Sequence, residues 1–237
     1  MQKVGVYALQ QLSDPSRKSN PQRTYIYCRS PTNSRRSSPM HAPDNPLALL
    51  RLDRDRAREL DDPYAGLCVL ALATPDGQPS VRTLVLRDVD DESLTLFVNR
   101  SSPKWAAVEA GARCELLVYY ASVDVQYRIA GPLTPLDREI IEANWQRRPT
   151  PAKYLDYVYE HRASQSSPID DREALLAHFS ELGAEHPEDT LQAPAGAAGL
   201  TLRAERVDRL NLATRNRVHD RRLYVLQGGW QARTLVP

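Results

Sequence analysis

The chain has 237 residues, 41% of them hydrophobic and 26% charged, with a net charge of +1 at neutral pH. The length allows one large domain or two small ones, the composition is that of an ordinary globular protein, and no apolar run approaches the roughly 20 residues that span a bilayer. A net charge so close to zero also argues against a surface built throughout for nucleic acid.

The charge is unevenly placed. Residues 1–40 hold seven Lys or Arg against the single acid Asp14, a net +6, which leaves −5 for the rest of the chain. Residues 1–46 are rich in Ser, Pro, Asn and Arg and lack the apolar block of a secretory signal. They carry too little apolar surface to fold alone and are expected to form a disordered basic tail. An Arg- and Ser-rich, acid-poor composition also fits an organelle transit peptide, the minority reading.

From Leu47 to Pro237 the pattern is that of a folded domain. Apolar positions at Leu49, Leu52, Ala57 and Leu60 predict a helix over 47–60. Short strands follow at 67–73, 80–89, 94–99, 113–120 and 125–133, separated by turns such as Pro75-Asp76-Gly77. Pro103 opens a short helix before the fourth strand. Thr134, Pro135 and Asp137 resemble a capping box, which predicts a helix over 135–147, with others over 151–162 and 170–182. Residues 192–199 are expected to be loop, and strands return at 200–207, 222–227 and 230–235. Many short strands with helices inserted late predict a mainly antiparallel β barrel with helices at one end, an α+β fold.

The chemistry-bearing residues exclude several classes. There is neither a G-x-G-x-x-G nor a G-x-x-x-x-G-K loop, so a phosphate would have to be held by side chains. His41, His161, His178 and His186 are isolated and form no metal-ligand pattern. Cys28, Cys68 and Cys114 also lack metal spacing; the last two lie in apolar runs and read as core residues, which fits a reducing cytoplasm. No nucleophile elbow is present. What remains is a scatter of cationic and polar residues, densest in "RNRVHDRR" at 215–222. A stretch so charged is a solvated face, a nucleic-acid patch or the wall of an anion pocket. Arg82 and Arg87 on the second strand have opposite parity, so a regular strand points them to opposite faces.

The segments "RTLVLRDVDDESLTLFVNRSSPK", "VQYRIAG", "RRPTP…ASQSS" and "RVHDRRLY…W…RTLVP" occur in order. In that order and approximate spacing the chain, over roughly 47–237, resembles the pyridoxamine 5'-phosphate oxidase family of FMN-binding split barrels. The resemblance implies a homodimer with FMN as cofactor. It implies FMN contacts from Arg82, Thr83, Leu84, Val85, Arg87, Phe97 and Val98, with Ser102 and Lys104 helping to hold the phosphate and ribityl chain. Gln126 would face the flavin ring, Gln165 and Ser166 would come from the other subunit, and Arg221 would reach the flavin from the C-terminal segment. Arg148 would grip a substrate phosphate, with Arg217 and His219 beside the reacting carbon. "RNRVHDRR" then reads as an anion-pocket wall.

The chain departs from the family pattern at four places. Arg87 stands where the family usually has Lys, Asn144 and Ala152 stand where Tyr and Ser usually help grip the substrate phosphate, and Asn211 stands where a tryptophan is expected near the flavin. The activity implied is oxidation of pyridoxine or pyridoxamine 5'-phosphate to pyridoxal 5'-phosphate, with oxygen as acceptor and neither nucleic acid nor membrane as partner. The departures leave two rivals: an FMN oxidoreductase of another aromatic metabolite, and a flavin- or pyridoxal phosphate-binding protein without turnover.

Overall fold

The computed structural model describes residues 45–74, 76–213 and 218–237. The tail expected over 1–46 therefore lies, apart from Asn45 and Pro46, outside the described residues, as do Cys28, His41, Arg215 and Arg217. In chain order the elements are α1 (Pro46–Glu59), β1 (Leu67–Ala73), β2 (Pro79–Val89), β3 (Ser93–Asn99), α2 (Pro103–Glu109), β4 (Cys114–Tyr120), β5 (Val125–Ala130), β6 (Leu133–Pro135), α3 (Arg138–Trp145), α4 (Thr150–His161), α5 (Arg172–Glu185), β7 (Ala197–Arg203), β8 (Arg206–Asn211), β9 (Asp220–Leu226) and β10 (Trp230–Leu235). All strand pairs are antiparallel, in the order β10-β9-β8-β5-β4-β1-β2-β3-β7-β6.

The chain itself forces this sheet to curl. Strands β7 and β8 stand six places apart in the order, yet only Ala204 and Glu205 join them. Six strand spacings are about 29 Å on a flat sheet, whereas two residues reach about 7 Å. The sheet therefore wraps round one core that draws Leu70, Leu86, Leu94, Leu116, Tyr127, Ile129, Leu202, Val207 and Tyr224 from eight strands. Where the two halves close, a Cβ on Gly131 would lie 1.8 Å from the carbonyl oxygen of Arg203, so only glycine fits there.

Helix α1 starts on Asn45, whose side chain accepts from the Leu47 amide at 2.8 Å. It buries Leu47, Leu50, Arg54 and Ala57, whereas the expected Leu52 and Leu60 are each more than half exposed. Arg54 turns the helix to this face: its Nε donates to Ala65 O at 2.9 Å and its guanidinium also donates to Leu86 O. A buried arginine satisfied by backbone carbonyls escapes a purely apolar count.

Several expected boundaries move: the strand expected over 125–133 ends at Ala130, with Leu133 in the next strand, and the helix expected over 170–182 runs from Arg172 to Glu185. Thr134 and Pro135 belong to β6, an edge strand on β7 where the missing amide of proline costs no ladder bond, so α3 begins at Arg138 after Asp137. The expected loop at 192–199 ends early, because Ala197, Ala198 and Gly199 pair with Asn99, Val98 and Phe97. The expected strand 200–207 is two strands split at the Ala204–Glu205 link. The helical end has its own core, in which Ile141, Trp145, Tyr157, Val158 and Leu182 pack with Ala197, and Phe97 and Leu136 lie against them. Burial pushes the Cys68 thiol up to about 12 and that of Cys114 up to about 11, as suits inert core thiols. Among the described residues no helix is long and apolar enough to cross a membrane.

Candidate functional site

Strand β2 divides the expected site residues between two faces. Arg82 and Leu84 share the half-buried face, and Thr83, Val85 and Arg87 the exposed one. The opposite parity expected for Arg82 and Arg87 therefore holds, and a register shift between Leu86 and Asp88 bends the strand at Arg87. There the Arg87 guanidinium lies over the Phe97 ring, 5.7 Å from its centroid.

On the inner side, the Arg82 guanidinium bonds Ser80 through its carbonyl and hydroxyl. Lys104, 8% exposed, donates to Gln165 Oε1 at 3.0 Å. Among the described residues neither Lys104 nor Arg82 has a carboxylate partner. Desolvation, and then the nearby charge of Arg82, push the Lys104 amine down to about 8. Buried Ser102 donates to Asn99 O at 2.7 Å, and the Gln165 amide donates to Ser101 Oγ at 3.0 Å, which fixes the "ASQSS" loop here. Gln165, expected from a partner chain, thus lies against Lys104 of its own chain; Ser166 beside it has a left-handed φ of 72° and is exposed.

A cleft of about 500 Å³ is lined by Thr83, Leu84, Val85, Arg87, Phe97, Arg148, Pro149 and Ala152. It collects seven of the expected site residues, while Val98 lies buried beneath it in a small cluster with Trp105, Ala198 and Leu200. Arg148, expected to hold a ligand phosphate, donates to Asp156 Oδ2, an oxygen that also accepts from Trp145 Nε1 at 2.8 Å. Asp156 is 2% exposed. Desolvation raises its carboxyl above the ordinary range, and the charge of Arg148 offsets only part of that. Asn144 donates back to Ile140 O at 2.9 Å, within its own helix.

The C-terminal residues lie elsewhere. Gln126, Leu210 and Arg221 are paired across β5, β8 and β9, on the face of the sheet turned away from the core. Arg221 holds Asp208 through Nε and Nη2 at 3.1 and 2.8 Å, and Arg128 holds the same carboxylate. Desolvation works to raise the Asp208 carboxyl, but the hydrogen bonds from Arg221 and Arg128 prevail and lower it. Asn211 falls on the opposite face with Val125 and accepts from the Ala213 amide at 2.9 Å, so it does not join Gln126 and Arg221. Arg222 also points away from Arg221 and bonds Asp220 at 3.1 Å. His219 precedes β9, with its Nδ1 buried and without a hydrogen-bond partner among the described residues. Arg217 lies outside the described residues, so the expected row of Arg217, His219 and Arg221 is described only at its last two members.

Two carboxylates escaped the sequence reading: Asp156 and Asp208. Asp156 had a signal, since it lies one helical turn after Ala152 and therefore on the same side of α4. Asp208 had none, because only strand pairing puts it opposite Arg128. Nor did the sequence join His161 and His186, whose rings stack 5.6 Å apart. Among the described residues no cluster is suited to a metal ion.

The model of the family described as pyridoxamine 5'-phosphate oxidase matches residues 57–185, more than half of the chain. This chain belongs to that family. A pyridoxine/pyridoxamine 5'-phosphate oxidase of Erythrobacter litoralis is 33% identical over 79% of this chain and 86% of its own length. One of Anaeromyxobacter dehalogenans is 31% identical over 84% and 98%. Among solved structures, PhzG from Burkholderia lata, in complex with tetrahydrophenazine-1-carboxylic acid, superposes with a TM-score of 0.74 at 26% identity, covering 82% of this chain and 94% of that one. A pyridoxamine 5'-phosphate oxidase-related, FMN-binding protein from Nostoc punctiforme gives 0.66 at 23% identity over 80% and 96%, a likeness of fold. The curled sheet is thus the split barrel of FMN-binding relatives, and membership of the family makes this chain an oxidoreductase of that type.

Proposed function

We propose that this chain is an FMN-dependent oxidase acting on a substrate built round a six-membered ring. The observation that carries the reading is the pair Lys104 and Arg82, a buried amine and a half-buried guanidinium near enough for the charge of Arg82 to act on Lys104, neither with a carboxylate partner among the described residues. Such a pair calls for an anion, and a phosphate monoester supplies the negative charge that both side chains lack among the described residues. The residues present fit FMN on this ground. Lys104, Arg82 and Ser102 would hold the phosphate end, with Gln165 orienting the amine. FMN, when bound, takes a hydride from a substrate carbon and returns the two electrons to oxygen.

Gln126 and Arg221 would meet the ring of a flavin held by a second copy of the chain. Arg221 on β9 is five strand places from β2, about 24 Å along the sheet, and faces outward rather than toward Lys104. The outward face also carries a shallow apolar concavity of about 280 Å³, lined by Tyr64, Leu67, Val69, Thr83 and Leu117 among others. Exposed Val81 and Val85 extend it. A homodimer closing over this face would bury the apolar strip and bring Gln126 and Arg221 of one protomer toward the ring of the flavin held by its partner.

Two substrate readings follow. The relatives from Erythrobacter litoralis and Anaeromyxobacter dehalogenans support pyridoxine or pyridoxamine 5'-phosphate. The complex of the Burkholderia lata protein supports a polycyclic ring carboxylate, and the inward hydrogen bond of Asn144 and the bare Ala152 favour it. The test is to purify the full chain, identify the released cofactor, and follow oxygen uptake with pyridoxine 5'-phosphate. Absence of bound flavin, together with failure to take up added FMN, refutes the proposal.

A further inference from the structure

Two cations line the cleft, Arg87 and Arg148, and among the described residues only Arg87 is without a carboxylate partner. Arg148 is ion-paired with Asp156, and the same carboxylate oxygen is held from α3 by Trp145. Turning Arg148 toward a ligand would strand an acid only 2% exposed, and an unpaired buried charge is far more costly than a surface one. Asn144 uses its amide on its own helix, and Ala152 has no donor. Among the described residues Arg87 has no carboxylate partner, only the Phe97 ring. The other lining side chains, Leu84, Val85, Phe97, Pro149 and Ala152, are apolar.

We propose that Asp156 is a positioning residue that sets specificity: by holding Arg148 it withdraws the cation a phosphate ester needs, so the cleft takes a ring carrying a carboxylate instead. A single guanidinium matches one carboxylate through two parallel N–H···O bonds, whereas a phosphate monoester carries between one and two charges and three acceptor oxygens at neutral pH. The apolar walls suit the faces of a ring system. Asp156 acts through Arg148 and touches no ligand itself. The inference rests on the flavoenzyme reading above only for the reaction, and not for the ligand's charge.

The experiment compares affinities for pyridoxine 5'-phosphate and 1-naphthoate, a bicyclic ring carboxylate, by titration calorimetry on the full chain as purified. The wild-type protein should bind 1-naphthoate more tightly. Asp156→Asn should tighten pyridoxine 5'-phosphate by about tenfold or more, the effect of one charge-assisted hydrogen bond, and leave 1-naphthoate within about twofold. A purely structural Asp156 would weaken both ligands together. Adding Arg148→Met to Asp156→Asn should abolish the gain, because the freed guanidinium is its source. Arg87→Met should weaken 1-naphthoate by about tenfold or more. Tighter binding of pyridoxine 5'-phosphate by the wild type, or an unchanged ratio in Asp156→Asn, overturns the proposal, and the wild-type comparison decides even if the variant does not fold. A chain that binds no FMN but prefers 1-naphthoate defeats the flavoenzyme reading and spares this one.

Discussion

Lys104, at the start of α2, and Arg148, between α3 and α4, are both cations, and they are held in opposite ways. Lys104 lies beside Arg82 with a neutral amide as its hydrogen-bond partner, and its amine is pushed down to about 8. Arg148 lies against Asp156, which balances its charge before any ligand arrives. Arg221 follows the second pattern, sharing Asp208 with Arg128. A count of basic residues therefore does not measure capacity for anions. The acid packed beside each base decides whether it waits for a ligand or serves the fold.

The largest effect should come from breaking the balanced pair. Arg148→Met leaves Asp156 buried and unpaired, and should lower the unfolding free energy by about 3 kcal/mol, the low end for a buried pair because the arginine is partly exposed. Denaturant unfolding measures this, and a loss under about 1 kcal/mol would mean that Asp156 is content alone. The unbalanced corner should respond in the opposite sense. Lys104→Met should weaken FMN by roughly 10- to 150-fold, the range of a lost charge-assisted hydrogen bond. The FMN-free protein should become no less stable, since a desolvated charge is removed. Flavin fluorescence titration and thermal melts test the two halves of that statement separately.

The same corner predicts a pH dependence. The unfolded lysine keeps its proton to about 10.5, and the folded, FMN-free one loses it near 8. Between those values the unfolded chain binds more protons, so this group makes the FMN-free protein more stable as pH rises. FMN needs the protonated amine, so its affinity should be level below about 8 and fall above it, by up to about tenfold per pH unit. Lys104→Met should abolish both slopes; if they persist, another group is responsible. The smallest effect is expected on β9. Arg222→Ala, at an exposed arginine paired with neighbouring Asp220, should change stability by no more than about 0.5 kcal/mol and leave FMN bound. Arg221→Ala should weaken FMN measurably but by less than Lys104→Met, because Asp208 already balances much of its charge. Equal effects at the two positions would show that the face on which β9 places a guanidinium does not matter.

Much of the scaffold was legible. The strands at 67–73, 80–89 and 94–99 fall within a residue of their expected positions because turn residues and the alternation of apolar side chains are local properties. The errors fall where packing overrides local preference. Pro135 reads as a helix start, yet it completes an edge strand because Leu200 stands opposite. Arg54 is absent from the apolar positions expected to face the core, yet the carbonyls of Ala65 and Leu86 draw it inward. In the site, the residue types were legible and their company was not. Gln165 reaches Lys104 from 61 positions away, and Asn211, placed by resemblance beside the flavin, faces the opposite side of its strand.

By itself, the sequence determined the succession of strands and helices, the family, and the inventory of Arg, Lys, His and Gln from which a phosphate-binding flavoprotein site can be built. All of these are recorded in local pattern and motif order. Only the tertiary structure decided which cations are free. Coulombic pairing acts over a few ångströms, and the partners that matter are set by strand register and helix facing: Arg128 with Asp208, 80 positions apart, and Arg148 with Asp156 across a helix start. Burial then magnifies each pairing, because a desolvated charge that lacks its counter-ion has no water to replace it.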